Sequence, residues 1–265
     1  MKGKVAVITG GNGTLGSTFA KGLAKAGATV FILGRNAGKS RKRVNELKKI
    51  GLTIHATTCD VLDTKSVQAA AKRILKKSGK IDILVNGAGG NMSGATIMPD
   101  QSIFDVSIDQ FRNVVDLNLM GTVIPTLVFA ESMVKQPKSC IINISSMAAQ
   151  IPLTRVVGYS ASKAAIDNFT RWMAVEMTTK YGEGIRVNAI APGFFIAEQN
   201  RSLLLNEDGS FTARGETIIS QTPAKRFGKP EELISTLLWL CDDNSTFVNG
   251  IVIPVDGGFS AFAGV

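Results

Sequence analysis

The chain has 265 residues, 45% of them hydrophobic, and 30 Lys and Arg against 21 Asp and Glu give it a net charge of +9. That is enough apolar material for one large α/β domain, and no linker, repeat or low-complexity tract divides it. No apolar run reaches roughly 18 residues and MKGKVAVITGG carries no cleavage pattern, which argues against a membrane or secreted protein and for the cytoplasm; the basic surplus is spread through KSRKRVNELKK and KRILKKSGK without interleaved aromatics, so solvated helix faces are expected rather than a nucleic-acid surface.

In chain order, the apolar run at 4–9 reads as a strand that enters the glycine-rich turn of TGGNGTLG and then a helix at 14–27. Gly10, Gly11, Gly13 and Gly16 permit close backbone approach, and a helix N-terminus after such a turn favours a phosphate. A second strand at 29–33 completes the βαβ unit of a dinucleotide site. It ends at Gly34-Arg35-Asn36, where enzymes that use NAD usually carry an acid for the ribose 2′-hydroxyl. Arg35 could pair with a 2′-phosphate, so NADP(H) is expected over NAD(H); if Arg35 stacks on adenine or faces solvent, either cofactor fits.

A helix at 38–50 and a strand at 53–58 follow, the strand holding the lone His55, which has no histidine or carboxylate cluster around it to make a metal site. Next come a helix at 64–78, a strand at 81–86 running into NGAG, a long helix at 107–136 and a strand at 139–144 ending near Ser146. The chain closes with a helix at 157–181, a strand at 185–190 before Pro192-Gly193, a helix at 229–242 and a strand at 250–255. Such alternation implies a Rossmann-type, doubly wound parallel sheet of seven strands with helices on both faces. Thr9, Gly34, Asp60, Asn86, Ser146 and Pro192 all fall at the carboxyl ends of strands, where such sheets bind ligands. Cys59, Cys140 and Cys241 lack metal-ligand spacing and read as buried residues in a reducing compartment.

Tyr159 and Lys163 lie one turn apart on the helix at 157–181, close enough to interact. A cation beside a phenol favours tyrosinate, so the pair describes an acid/base whose pKa is expected to fall towards neutrality, with Ser146 holding the oxygen of a carbonyl or alcohol. An ordinary amphipathic helix start is the alternative reading of YSASK.

Together TGGNGTLG, NGAG at 86–89, Asn118 in DLNLMG, Ser146, Tyr159-x-x-x-Lys163 and Pro192-Gly193 resemble, in order and spacing, the short-chain dehydrogenase/reductase family. The resemblance implies catalytic roles for Asn118, Ser146, Tyr159 and Lys163, with Asn118 holding a water that links Lys163 to solvent. It implies cofactor contacts at Gly10, Asn12, Thr14, Leu15, Gly16, Arg35, Asn36, Asp60, Val61, Asn86, Gly87, Ala88, Gly89, Tyr159, Lys163, Pro192, Gly193 and Phe195. Three positions depart from the family pattern: Thr14 replaces the middle glycine, Gly87 an asparagine and Ala197 a frequent threonine. A homotetramer using the helices at 107–136 and 157–181 is the assembly the resemblance implies.

The polar segment at about 194–226 stands where that family has its substrate lid. EQNRSLLLNEDGS, TPAKRFGKPEEL and VDGGFSAFAGV resemble a group in the family described as D-mannonate oxidoreductases, which implies hydride transfer between D-mannonate and D-fructuronate. A sugar acid needs a cation for its carboxylate and polar groups for its hydroxyls; Asn91, Ser146, Gln150, Arg155, Gln199, Asn200 and Arg201 are the candidates. Gluconate 5-dehydrogenase, 2-keto-3-deoxygluconate dehydrogenase and 3-oxoacyl carrier-protein reductase remain open as alternatives, as does a cofactor-binding sensor or scaffold without turnover.

Overall fold

In a computed structural model, which describes residues 1–198 and 200–264, seven parallel strands form one sheet in the order β3-β2-β1-β4-β5-β6-β7. They are β1 (Val5–Thr9), β2 (Thr29–Gly34), β3 (Ile54–Thr58), β4 (Ile83–Asn86), β5 (Ser139–Ile144), β6 (Ile185–Pro192) and β7 (Val252–Val255). Every residue of β1, β4, β5 and β6 is buried, as expected of strands covered on both faces. The sequence expectation of a doubly wound α/β fold therefore holds, and each of the seven expected strands is present. The strand order reverses between β1 and β4, which opens a crevice at their carboxyl ends.

Two apolar clusters flank the sheet. One contains Phe19 and Leu23 of α1 (Thr14–Lys25) with Leu233, Leu237 and Leu240 of α9 (Leu233–Leu240). The other contains Ile74 of α3 (Thr64–Ser78), Phe129 of α5 (Gly121–Met133) and Met173 of α6 (Val157–Tyr181). Helix boundaries follow local chemistry: Asn36 accepts from the Lys39 amide to start α2 (Ala37–Lys48), Asp63 accepts from the Lys65 amide to start α3, and Gly79 ends α3 at φ 74°. The helix expected at 229–242 is shorter, because Pro230–Glu232 forms a separate 3-10 turn before α9.

The long helix expected at 107–136 is interrupted. α4 (Ile108–Val115) passes through a π-helical turn, Asp116–Met120, into α5. The cause is competition for carbonyls: the Asn118 side chain donates to Val114 O at 2.8 Å and the Thr122 hydroxyl to Asn118 O at 2.9 Å, each four residues back. As a whole, Ile108–Met133 has a mean hydropathy of 1.4 over an 18-residue window, long and apolar enough to cross a membrane by composition. Counting uninterrupted apolar runs missed this because Asp109, Arg112, Asp116 and Glu131 punctuate the segment. Here Val114, Phe129 and Met133 pack into the protein interior.

The polar segment expected to be the substrate lid has helices of its own. It holds α7 (Arg201–Leu204) and α8 (Ala213–Ser220), and Leu204, Ile218, Ile219 and Phe227 form a third cluster beneath them. Phe211 and Phe227 meet edge to face at 5.4 Å.

Candidate active site

A cleft of about 630 Å³ opens along the carboxyl ends of the strands. Its floor is the turn between β1 and α1. A Cβ on Gly10 would lie 2.6 Å from Gly87 O, and one on Gly16 2.3 Å from Gly10 O, so neither position can carry a side chain without moving backbone. Gly13 caps α1 without a side chain, and no acid stands in the first turn, so the helix N-terminus faces the cleft with its amides free for an anion. Glycines that would be filled by a Cβ, an uncapped helix start and a crevice at the strand reversal fit the phosphates of a dinucleotide. Thr9 Oγ1 accepts from the amides of Gly87 and Ala88, both at 3.1 Å, which fixes one wall.

At the inner end, Ser146, Tyr159 and Lys163 all line the cleft. Ser146 follows β5 and caps the 3-10 turn Met147–Ala149: its Oγ accepts from the Ala148 amide at 3.1 Å, leaving the hydroxyl proton to donate. The Ser146 hydroxyl is also near enough to the Tyr159 phenol to favour its ionised form. Lys163 is buried; its Nζ donates to Ile144 O at 2.7 Å and stands 5.4 Å from the centre of the Tyr159 ring. The three side chains expected from the sequence to work together are therefore together.

Their electrostatics differ from the expectation. Burial pushes the Tyr159 phenol above its ordinary value, partly opposed by the Ser146 hydrogen bond, and burial lowers Lys163 to about 8 against the opposing pull of Asp167. The expected depression of the Tyr159 pKa fails because the ammonium sits over the ring and bonds a main-chain carbonyl, so desolvation dominates. A phenol held protonated at neutral pH is a proton donor.

Asn118 is fully buried in the π-helical turn. Its Oδ1 accepts from Gly90 N at 3.1 Å and its Nδ2 donates to Gly90 O at 2.7 Å, clamping the loop after β4. The amide nitrogen is thus spent on positioning, while the oxygen keeps one of its two acceptor sites.

Of the expected cofactor contacts, Gly10, Asn12, Thr14, Leu15, Gly16, Arg35, Val61, Gly87, Ala88, Gly89, Pro192, Gly193 and Phe195 line the cleft. Asn36, Asp60 and Asn86 do not. Asn36 caps α2, the Asp60 carboxylate accepts from Leu62 N at 3.0 Å, and the Asn86 amide donates to Thr126 and Asn143 at the carboxyl end of β4, its own Oδ1 left without a partner. Cys59, Gly34 and Lys39 line the cleft instead; Lys39, one turn into α2, also bridges Glu198 of the lid at 3.1 Å. A basic residue on the first turn after the Gly34-Arg35 corner was the signal available in the sequence.

Among the expected substrate residues, Asn200 lines the cleft, but its amide is occupied in shaping the lid turn, accepting from Ala197 N at 2.7 Å and donating to Phe195 O at 2.9 Å. Asn91 is exposed and bonds Thr96 at 2.7 Å, Gln150 lies near enough to Asp167 to favour its carboxylate, and Arg201 is exposed on α7; none lines the cleft. Arg155 is half-buried in the loop before α6, with a left-handed φ of 77°, and also stands outside the cleft lining. Gln199 lies outside the described residues. Among the described residues no group of His, Cys, Asp and Glu could hold a metal.

Residues 4–208 match the family described as short chain dehydrogenase. A relative from Bacillus subtilis (strain 168), described as uncharacterized oxidoreductase UxuB, is 48% identical over 274 residues, covering 100% of this chain and 98% of its own. A crystal structure from Haemophilus influenza with bound NAD, provisionally described as a D-mannonate oxidoreductase, superimposes with a TM-score of 0.93 at 42% identity over 100% of this chain and 98% of that one. A gluconate 5-dehydrogenase from Burkholderia cenocepacia J2315, in complex with NADP and tartrate, gives a TM-score of 0.87 at 31% identity over 98% and 96% of the two chains.

Proposed function

The chain belongs to the short-chain dehydrogenase family and is an oxidoreductase acting on CH–OH groups, and on that premise we propose that it interconverts a secondary alcohol and a ketone on a sugar acid, D-mannonate and D-fructuronate before others. The observation that carries the chemistry is the Ser146, Tyr159 and Lys163 cluster at the inner end of the cleft. The likeness to the protein provisionally described as a D-mannonate oxidoreductase supports the substrate. The 265 residues act as one catalytic unit under the lid at about 194–226.

When bound, the nicotinamide cofactor supplies or accepts the hydride. Gly10, Gly13 and Gly16 would receive its phosphates at the open start of α1, and Lys163 would meet its ribose hydroxyls. In the reducing direction Tyr159 gives its phenolic proton to the carbonyl oxygen, while Ser146, whose own oxygen is already accepting from Ala148, donates a second hydrogen bond to that oxygen. Asn118 keeps the Gly90 loop, and with it Gly89 beside Lys163, in place. Oxidation reverses the proton transfer and needs tyrosinate, which burial makes scarce below alkaline pH.

NADP(H) is the preferred cofactor on this reading, because the end of β2 carries Gly34 and Arg35 rather than an acid, and Lys39 nearby neutralises Glu198, the one carboxylate among the described residues that line the cleft. Arg35→Ala and Lys39→Ala should each raise KM for NADP(H) about ten-fold, the loss of one charged hydrogen bond, with little change for NAD(H). Equal kcat/KM for the two cofactors in the unmodified enzyme overturns the preference. A homotetramer follows from family resemblance and is favoured by the exposed Leu127, Trp172 and Val175 on α5 and α6.

The substrate is tested by following cofactor oxidation with D-fructuronate, 5-keto-D-gluconate and 2-keto-3-deoxygluconate side by side. The highest kcat/KM should fall on fructuronate. A preference for 5-keto-D-gluconate would make the enzyme a gluconate 5-dehydrogenase, the reading favoured by the likeness to the Burkholderia enzyme. Failure with all three ends the sugar-acid reading.

A further inference from the structure

The lid brings a second arginine to the loop that leads into Tyr159. Arg214, near the start of α8, is half-buried, and its Nη1 donates to Thr154 Oγ1 at 3.2 Å across 60 residues of sequence. The next residue after Thr154 is Arg155, also half-buried. Its backbone is held in the left-handed region at φ 77°, with its carbonyl accepting from Ile97 N at 2.9 Å. Arg214 thus reaches from the lid to the residue just before Arg155 in the catalytic loop, near enough for its guanidinium to feel the Arg155 charge.

Among the described residues, no ion pair includes either arginine. Glu198 is paired with Lys39, Glu232 with Arg226, and Asp208 with Ser210, while Glu207 and Glu216 are exposed and form no ion pair with either arginine. Burial and then the charge of Arg155 lower the Arg214 pKa, the mark of like charges sharing a partly dry space. Such an arrangement is unfavourable alone and becomes favourable when an anion lies between the two groups, because each guanidinium offers paired donors that match a carboxylate. Thr154 and Arg155 stand in the loop between Ser146 and Tyr159, outside the lining of the cofactor cleft, on the side where the end of a substrate remote from its carbonyl would leave it.

We infer that Arg155 and Arg214 together form the subsite for the substrate's carboxylate, with Arg214 carried in by the lid. This rests on the sugar-acid reading above. The substrate then ties the lid to the catalytic loop through its own charge, and recognition of the acid is coupled to closure. Arg201, on the exposed face of α7, takes no part.

The test compares Arg214→Gln, which keeps a donor for Thr154, and Arg155→Asn, which tolerates the left-handed backbone, with the unmodified enzyme. Each is assayed with the best of the three keto acids and with D-fructose, a neutral ketose. Each variant should raise KM for the keto acid about 10- to 100-fold, the span expected for one charged hydrogen-bonding partner, while kcat on the acid and kcat/KM on D-fructose stay within about two-fold. An equal loss on acid and neutral ketose would mean that the arginines serve only to fold the lid, which overturns the subsite. An unchanged KM for the acid overturns it as well, and the sugar-acid reading then survives if the unmodified enzyme still prefers the acid. No preference for the acid over D-fructose in the unmodified enzyme removes that reading and the subsite together.

Discussion

Tyr159→Phe should lower kcat at least about 10³-fold in both directions while leaving cofactor affinity and the melting temperature close to those of the unmodified enzyme. The hydroxyl is the only atom removed, and the ring keeps its place beside Lys163. The hydroxyl's contact with Ser146 is worth at most about 1 kcal/mol, so Tm should shift by a few degrees at most. The pH dependence gives a second check. Burial raises the Tyr159 pKa, so the phenol stays protonated across neutral pH: ketone reduction should be flat there, and alcohol oxidation should climb on the alkaline side as tyrosinate appears. Measurable turnover in the phenylalanine variant, or oxidation that is fastest near neutrality, would remove Tyr159 from the role of proton donor.

Lys163→Met should be nearly as damaging to activity, by about 10²-fold or more in kcat, yet not damaging to the fold. An ammonium this deeply buried has its pKa lowered from 10.5 to about 8, a difference of 2.5 units that corresponds to a cost of about 3 kcal/mol at neutral pH. Between those two values the unfolded chain binds the proton more tightly than the folded one, so the cost is complete below pH 8 and is relieved as pH rises towards 10.5. Methionine fills a similar volume without the charge and forfeits the bond to Ile144 O, worth about 1–3 kcal/mol when the carbonyl is left bare. The variant should therefore melt no lower than the unmodified enzyme at pH 7, and the comparison should move in favour of lysine between pH 8 and 10. A variant that is several degrees less stable at pH 7 would show that the ammonium holds the fold rather than the chemistry.

What could be read from the sequence was what depends on local pattern. Unbroken apolar runs such as VAVIT and SCIINI mark strands buried on both faces, and the spacing of Tyr159 and Lys163 needs only a helix to bring them together. What could not be read depends on partners distant in the chain. The π-helical turn exists because Asn118 serves Gly90 as well as Val114, and Gly90 arrives only when the sheet is assembled. α7 and α8 are four and eight residues long, too short for a periodic signal, although Thr212 accepting from Gly215 N is an N-cap that the letters TARG contained. Arg214 went unread because its neighbour Thr154 is 60 positions away. Asn200 and Gln150, expected to meet substrate hydroxyls, also have protein partners that no spacing announces: Asn200 closes a turn, and Gln150 lies by Asp167. The phenol's acidity was misjudged because sequence spacing reports proximity to a cation and not the loss of water.

Leu204, Ile218, Ile219 and Phe227 cohere with one another and stand apart from the two clusters that sandwich the sheet. Under the proposed function, the lid's share in choosing the substrate and the movement of its proton are written into separately packed pieces of the protein. Residues on the outer surface of that small cluster can drift, and the range of accepted compounds with them, while the hydroxyl, the amine and the phosphate cradle below keep their alignment; a catalyst arranged this way can change its diet without relearning its reaction.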